Sequence, residues 1–93
     1  MNKELKVSAL EETHALKILL ILGTRGKMVK GELAACVAKG TVAVQSRIES
    51  LVSEGLITET QETKRPFRKY IKLTEKGEKI SNHIAEIEAV MRT

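Results

Sequence analysis

The chain has 93 residues, which is the usual size of one domain. Hydrophobic residues make up 42% and charged residues 30%, with one Pro and six Gly, so the composition is globular and excludes collagen-like, low-complexity and disordered chains. Uncharged apolar stretches such as 18–22 are far shorter than the roughly 20 residues that span a bilayer. Acidic residues among the first dozen positions do not fit a secretory signal, and we therefore expect a cytoplasmic protein.

Residue types that enzymes and metal sites need are scarce in this sequence. It contains no Asp, which removes Ser-His-Asp triads, EF-hand loops and Asp-ligated magnesium sites. Cys36, His14 and His83 form no metal-ligand spacing, and no nucleophile is paired with a base. We therefore predict no enzyme activity, no metal and no cofactor, and we interpret Cys36 as a small hydrophobic residue of a helix.

The net charge of +4 is concentrated in one short segment. Segment 61–73 holds five basic side chains and one acid, Glu62, whereas the rest of the chain carries equal numbers of bases and acids. Such a segment is typical of a footprint for a polyanion, and nucleic-acid phosphates are the commonest one. Charge alone leaves a solvated basic loop as an equal alternative. The five bases are Lys64, Arg65, Arg68, Lys69 and Lys72.

A first helix is predicted from a capping box followed by an apolar run. Ser8 and Glu11 have the spacing at which a hydroxyl and a carboxylate satisfy backbone donors at a helix start. We expect Gly23 to end the helix, because glycine adopts the left-handed conformation without steric penalty. The apolar residues are dense enough to bury this helix on most sides: Ala15, Leu16, Ile18, Leu19, Leu20, Ile21 and Leu22.

Two further helices are predicted, with a short break between them. Segment 32–38 places Leu33 and Val37 one turn apart, and 39–41 interrupts the pattern. A third helix over about 41–54 ends at Gly55, so that two helices joined by three or four residues give a helix-turn-helix pattern. The apolar stripe of the third helix is Val44, Ile48, Leu51 and Val52.

The second half of the chain predicts a hairpin. Two β-favouring runs, 56–60 and 67–73, flank a basic turn, and Pro66 belongs at its tip or on an edge because it cannot donate to a ladder. Phe67 and Tyr70, the only aromatic residues, are expected to pack on the strands rather than to stack on bases.

A last helix over 75–92 is predicted, with Thr74 as its cap. Its apolar residues form a narrow seam of nearly three heptads. Such a seam either covers its own domain or pairs with a second copy, and we expect a homodimer in preference to a purely intramolecular role. The predicted dimer-interface residues are Ile80, Ile84, Ile87 and Met91.

Three short motifs follow one another along the chain. They are Glu32-Leu33-Ala34, the segment 51–57 ending in Gly55-Leu56-Ile57, and Leu73-Thr74-Glu75-Lys76-Gly77. From about residue 10 to residue 77 the chain resembles the winged helix-turn-helix transcriptional regulators of the MarR, PadR and ArsR kind. The resemblance implies an α+β, mostly helical winged-helix fold: a three-helix helix-turn-helix core, a β-hairpin wing and a C-terminal helix, in a single domain over 1–93. It also implies that the third helix enters the DNA major groove while the wing lies on the backbone or minor groove.

The resemblance assigns DNA contacts by position. The family's T-V-S-R segment falls on 43–46, so Gln45 and Ser46 take groove-facing positions and Ser46 replaces the expected Arg. Gln45 can bind adenine through two hydrogen bonds, whereas Ser46 discriminates weakly. Glu49 lies on the same face, where it repels phosphate unless it accepts from cytosine or pairs with Arg47, which lies nearer the core edge. The predicted DNA-binding residues are Lys39, Thr41, Val42, Gln45, Ser46, Arg47, Lys64, Arg65, Arg68 and Lys69, the last four on a wing over 61–70.

Two classes of function are left open. The first is a homodimeric regulator that binds double-stranded DNA, with a weakly specific architectural chromatin protein as a variant of it. The second is a winged-helix module that binds an acidic protein surface. The wing charge and the last helix favour the first class, whereas Glu49 and the missing Arg favour the second. No residue pattern identifies a small-molecule effector.

Overall fold

Helices and a small antiparallel sheet enclose one apolar core in this computed structural model, which describes residues 5–37 and 42–93. The α+β, mostly helical fold class predicted from the sequence is confirmed. The elements within the described ranges are α1 (Ala15–Arg25), β1 (Met28–Val29), α2 (Lys30–Val37), α3 (Val42–Ser53), β2 (Ile57–Gln61), β3 (Lys69–Leu73) and α4 (Glu75–Met91), preceded by a 3₁₀ helix (Lys6–Glu11).

The N-terminal capping box does not form. Residues Lys6–Glu11 make a 3₁₀ helix whose N-cap, Leu5, gives no side-chain hydrogen bond. The α-helix begins only at Ala15, because His14 adopts a left-handed conformation with φ 70° and so interrupts the helical backbone. Leu10 of the 3₁₀ helix packs against the core, so this segment covers α1 instead of extending it.

Gly23 does not end α1, contrary to the prediction. The helix continues to Arg25, and Gly26 ends it with φ 79° while its N–H donates to the Leu22 carbonyl at 2.8 Å. Gly23 instead marks a close approach of α4, since a Cβ there would overlap the hydroxyl of Ser81. That buried hydroxyl donates to the Leu19 carbonyl at 2.8 Å and fastens α4 to α1.

The sheet has the order β1-β3-β2, with both pairs antiparallel. In the predicted hairpin Ile57 pairs with Leu73 and Gln61 with Lys69. The third strand, β1, was not predicted, because two residues carry no periodic signal and form a strand only by pairing with β3.

The core is built from the predicted apolar faces with two exceptions. Val52 of the α3 stripe is 39% exposed and Leu16 of α1 is 46% exposed. Leu33 and Val37 of α2 are buried as predicted. The fully buried large side chains are Ile18, Leu19, Leu22, Leu33, Val44, Ile48, Leu51, Ile57 and Ile71.

The predicted cap of α4 is confirmed and joins two of the sequence motifs. The Thr74 hydroxyl accepts from the Gly77 N–H at 3.0 Å and donates to the Gly55 carbonyl at 2.7 Å. The Thr74 N–H donates to the Leu56 carbonyl at 3.0 Å. Gly77 is buried against that same carbonyl, where a Cβ would overlap its oxygen. The end of α3 and the start of α4 are therefore one packed unit.

Candidate nucleic-acid interface

The outward side of α3 carries a mixed polar and apolar surface. Val42 is 83% exposed, Ser46 is exposed and Gln45 is half-buried. The Gln45 amide donates to the Glu49 carboxylate at 2.9 Å. Glu49 therefore pairs with Gln45 one turn earlier on the same helix, whereas the sequence analysis considered Arg47 as its partner.

Arg47 points to the N-terminal segment. Its Nε donates to the Thr13 carbonyl at 2.8 Å, and its guanidinium lies 3.4 Å from Glu12 and 3.2 Å from the Ser50 hydroxyl. Only 15% of its side chain is exposed. These contacts hold Arg47 between α3 and the turn that precedes α1, away from the exposed residues Val42 and Ser46.

The wing loop, residues 62–68, is fastened at its base by Glu62. The Glu62 N–H donates to the Arg68 carbonyl at 2.9 Å, and the Glu62 carboxylate accepts from the Arg68 N–H at 3.0 Å. Lys64 and Arg65 are exposed at the turn, which the Phe67 N–H closes by donating to the Lys64 carbonyl at 2.9 Å. The Tyr70 hydroxyl and, to a lesser extent, the Glu62 carboxylate raise the pKa of Arg68 above its usual value.

Lys69, at the base of the wing, shares the carboxylate of Glu59 with Lys30, which was not among the predicted DNA-binding residues. The Glu59 carboxylate lies 3.8 Å from the Lys69 ammonium and 3.0 Å from that of Lys30. Lys30 opens α2 and lies outside the basic segment 61–73 from which the DNA contacts of the wing were predicted. Tertiary structure alone brings it to the wing.

The wing base and the first half of α3 border one open depression of about 580 Å³. Val42 and Gln45 line it from α3, Lys69 from the wing and Lys30 from α2. Four of the charged or exposed residues considered above thus lie around one surface. Lys39 and Thr41, which the sequence analysis assigned to DNA binding, lie outside the described residues.

The two aromatic residues have different surroundings. Tyr70 lies in β3, half-buried, with the Lys27 ammonium 4.9 Å from the centre of its ring, which confirms its predicted place on a strand. Phe67 precedes β3 and is 46% exposed in the wing loop, so the prediction that it packs on the strands is wrong. The cause is local: Phe67 has φ 58°, which takes it out of the extended conformation of a strand.

Cys36 is exposed on α2, contrary to the prediction of a small hydrophobic packing residue. Its sulfur accepts a hydrogen bond from the guanidinium of Arg25 at 3.0 Å. Residues 5–37 and 42–93 include no group of three His, Cys, Asp or Glu side chains that could hold a metal ion. None of the helices described is long and apolar enough to cross a membrane.

Neither a family model nor a curated protein sequence matches the chain. Several solved structures, in contrast, match its fold. The transcriptional regulator homologue from Pyrococcus horikoshii OT3 superposes with a TM-score of 0.78 at 19% identity, covering 91% of this chain and 86% of its own. A protein described as a MarR-family regulator from Enterococcus faecalis V583 gives 0.81 at 17%, with 94% and 79% covered. A further one so described, from Porphyromonas gingivalis W83, gives 0.77 at 23%, with 96% and 92% covered.

These similarities establish the fold. The chain has the winged-helix architecture of the solved MarR-type structures, as the resemblance in its sequence implied. In this architecture α2 and α3 form the helix-turn-helix pair, and β2 and β3 with the loop between them form the wing. The matched structures are themselves described as regulators of transcription.

Proposed function

We propose that the chain is a DNA-binding transcriptional regulator that acts as a homodimer. The observation that carries the proposal is the coincidence of fold and charge. The whole net charge of the chain lies in 61–73, and this segment is the wing of a winged-helix fold. The wing base borders the same depression as the exposed start of α3, so a DNA duplex can contact both.

In this proposal α3 enters the major groove through Val42, Gln45 and Ser46. Val42 is exposed enough to contact a thymine methyl group, and the Gln45 amide exchanges its bond to Glu49 for adenine. The wing contacts phosphates through Lys64, Arg65, Arg68 and Lys69. Lys39 and Thr41 stay in the proposed contact set on the strength of the sequence alone.

Arg47 has a different role in the proposal. Because its guanidinium is bonded to Thr13 and Glu12, we assign it to positioning α3 rather than to phosphate contact. A residue with this role sets the angle of the recognition helix relative to α1 and releases no counterion on binding.

The homodimer would use the C-terminal half of α4. Ile84 is buried and Ile80 packs on the core of its own chain, so the predicted seam is divided between two tasks. Ile87 and Met91 are 61% and 75% exposed, and Val90 beside them is 70% exposed. A second copy would cover this apolar end and place two recognition helices about one helical turn, ~34 Å, apart on DNA.

The test is binding of the purified protein to a random duplex and to the DNA upstream of its own gene, from ~50 to 200 mM salt. Replacing Lys64, Arg65 and Arg68 together by Ala should flatten the log–log salt slope by about 2.7, at about 0.9 for each phosphate contact. The matched control removes three cations outside the wing by Ala substitution at Lys6, Lys76 and Lys79 and should leave the slope unchanged. An unchanged slope in the wing variant refutes the phosphate role of the wing.

The Gln45–Glu49 hydrogen bond favours one second candidate. It occupies the side chain best suited to base recognition, as expected of a weakly specific architectural protein whose binding depends on the wing. Equal affinity for both duplexes, with dense coverage of long DNA at saturation, would establish that function. Absence of binding even at ~50 mM salt would indicate the protein-interaction module instead.

A further inference from the structure

Phe67 is a large apolar side chain exposed in the most basic part of the molecule. It is 46% exposed, and it is not among the residues that pack against the core. Arg65 and Arg68 flank it in the wing loop. Burial therefore does not explain why an aromatic ring stands at this position.

The backbone at Phe67 is also unusual. Its φ of 58° lies in the left-handed region, which bulky residues rarely adopt, and glycine would fit there without strain. The exposed ring thus stands at a position whose backbone conformation favours glycine. A backbone outlier of this kind points to a functional constraint.

Hydrogen bonds on both sides of Phe67 order the backbone of the loop before any partner arrives. The Phe67 N–H is bonded to the Lys64 carbonyl at 2.9 Å, and Glu62 fixes both backbone groups of Arg68, the next residue. Little ordering is then needed on binding, which favours insertion of the ring over loose contact.

We propose that Phe67 is an apolar wedge that the wing inserts between adjacent base pairs from the minor groove, while Arg65 and Arg68 neutralise nearby phosphates. This inference rests on the proposed DNA binding and adds a deformation of the duplex to it. Side chains of this size unstack a base step and kink the duplex when basic residues hold them in the minor groove. The partner class is double-stranded DNA with an easily unstacked step, such as TpA.

An anionic lipid surface is the other partner that cations beside an aromatic ring can fit. One ring buries too little apolar area for it, since even a whole myristoyl chain gives only marginal membrane binding. A single base step, in contrast, admits one ring. Gln45 and Ser46, on the outward face of α3 beside the wing, are polar side chains that a bilayer would not use.

The test uses ~30-bp duplexes that carry 2-aminopurine in a central TpA step, because the emission of this base rises when it unstacks. The wild-type protein should raise the emission, and Phe67→Ala should abolish the rise and weaken binding by about tenfold. The salt slope should not change, because no charge is removed. Phe67→Trp should restore the rise, and Leu16→Ala, which truncates an equally exposed residue of α1, should affect neither quantity.

The outcomes separate this inference from the proposed function. If the wild type and Phe67→Ala both show salt-dependent binding and give the same 2-aminopurine emission, the wedge is overturned and the proposed DNA binding stands. No binding at any salt overturns both. Loss of binding to phosphatidylserine vesicles in Phe67→Ala, without any emission change on DNA, assigns the ring to lipid. Phe67→Gly, which removes the backbone strain, should melt no lower than the wild type and still fail to raise the emission, so misfolding cannot account for the loss.

Discussion

Glu59→Gln should tighten DNA binding, because this carboxylate holds two lysines of the proposed interface. Its oxygen lies 3.0 Å from the Lys30 ammonium and 3.8 Å from that of Lys69. Removing its charge releases both ammonium groups toward phosphate. Each added phosphate contact steepens the log–log salt slope by about 0.9, which at ~0.1 M salt corresponds to about eightfold in affinity. Because Lys69 is already in the proposed contact set, the added contact is that of Lys30, and binding should tighten by about eightfold.

The assay is a fluorescence-anisotropy titration of one duplex at four or more salt concentrations. Glu86→Gln is the matched control, because it makes the same charge change at an exposed residue of α4 and should leave the slope unaltered. Loss of the partly buried pair with Lys30 should lower the free energy of unfolding by about 1–2 kcal/mol. Adding Lys30→Ala should flatten the slope in the Glu59→Gln background more than in the wild type. If Glu59→Gln binds no more tightly and its slope equals that of the wild type, Lys30 does not gain a phosphate contact.

Three further predictions concern the scaffold. Gly77→Ala should lower the free energy of unfolding by about 3 kcal/mol in urea denaturation, since its Cβ overlaps a backbone carbonyl, whereas Gly31→Ala, in open space on α2, should be neutral or stabilising. Ile87→Glu with Met91→Glu should yield a monomer in analytical ultracentrifugation without loss of thermal stability; a persistent dimer places the interface elsewhere. Arg47→Ala should lower stability by about 1–3 kcal/mol and keep the salt slope, and a slope flattened by about 0.9 would show that Arg47 contacts phosphate after all.

The fold was predictable from the sequence where a short motif carries its own contacts. Thr74 and Gly77 are three residues apart, and both contact the Gly55-Leu56 turn. Two of the three motifs that carry the winged-helix resemblance therefore meet in space, and each explains the residue types of the other. This contact is a physical reason why their combination is more specific than either motif alone.

The prediction failed where one residue type serves two purposes. Glycine can end a helix, and it can also let two helices approach closely. Gly26 ends α1, whereas Gly23 allows the close approach of Ser81. Helical periodicity does not distinguish them, because the deciding contact joins residues far apart in sequence. The left-handed backbone of His14 was likewise invisible, since nothing in its neighbours requires it.

The positive charge of the candidate site was predictable from the sequence, but the hydrogen-bond partners of its side chains were not. The basic wing is evident from the sequence. The partners of the cations near it are distant in the chain, because Lys30 is hydrogen-bonded to Glu59 and Arg47 to Thr13. A charge count treats each of these cations as available to phosphate. The structure shows that their carboxylate and carbonyl partners already hold them.

The acids of the interface acquire a different meaning once their contacts are known. Each carboxylate is bonded to a neighbour: Glu49 to Gln45, Glu59 to Lys30, and Glu62 to the backbone of Arg68. In sequence they weaken the case for a polyanion partner, whereas in the structure they fix the geometry of the groups around them. Lys64, Arg65, Arg68 and Lys69 of the wing are exposed, so under the proposal most counterion release, and hence most of the salt dependence, originates at the wing. Affinity would then depend chiefly on the wing. Sequence preference would depend on how readily the Gln45 amide exchanges its hydrogen bond to Glu49 for one to a base.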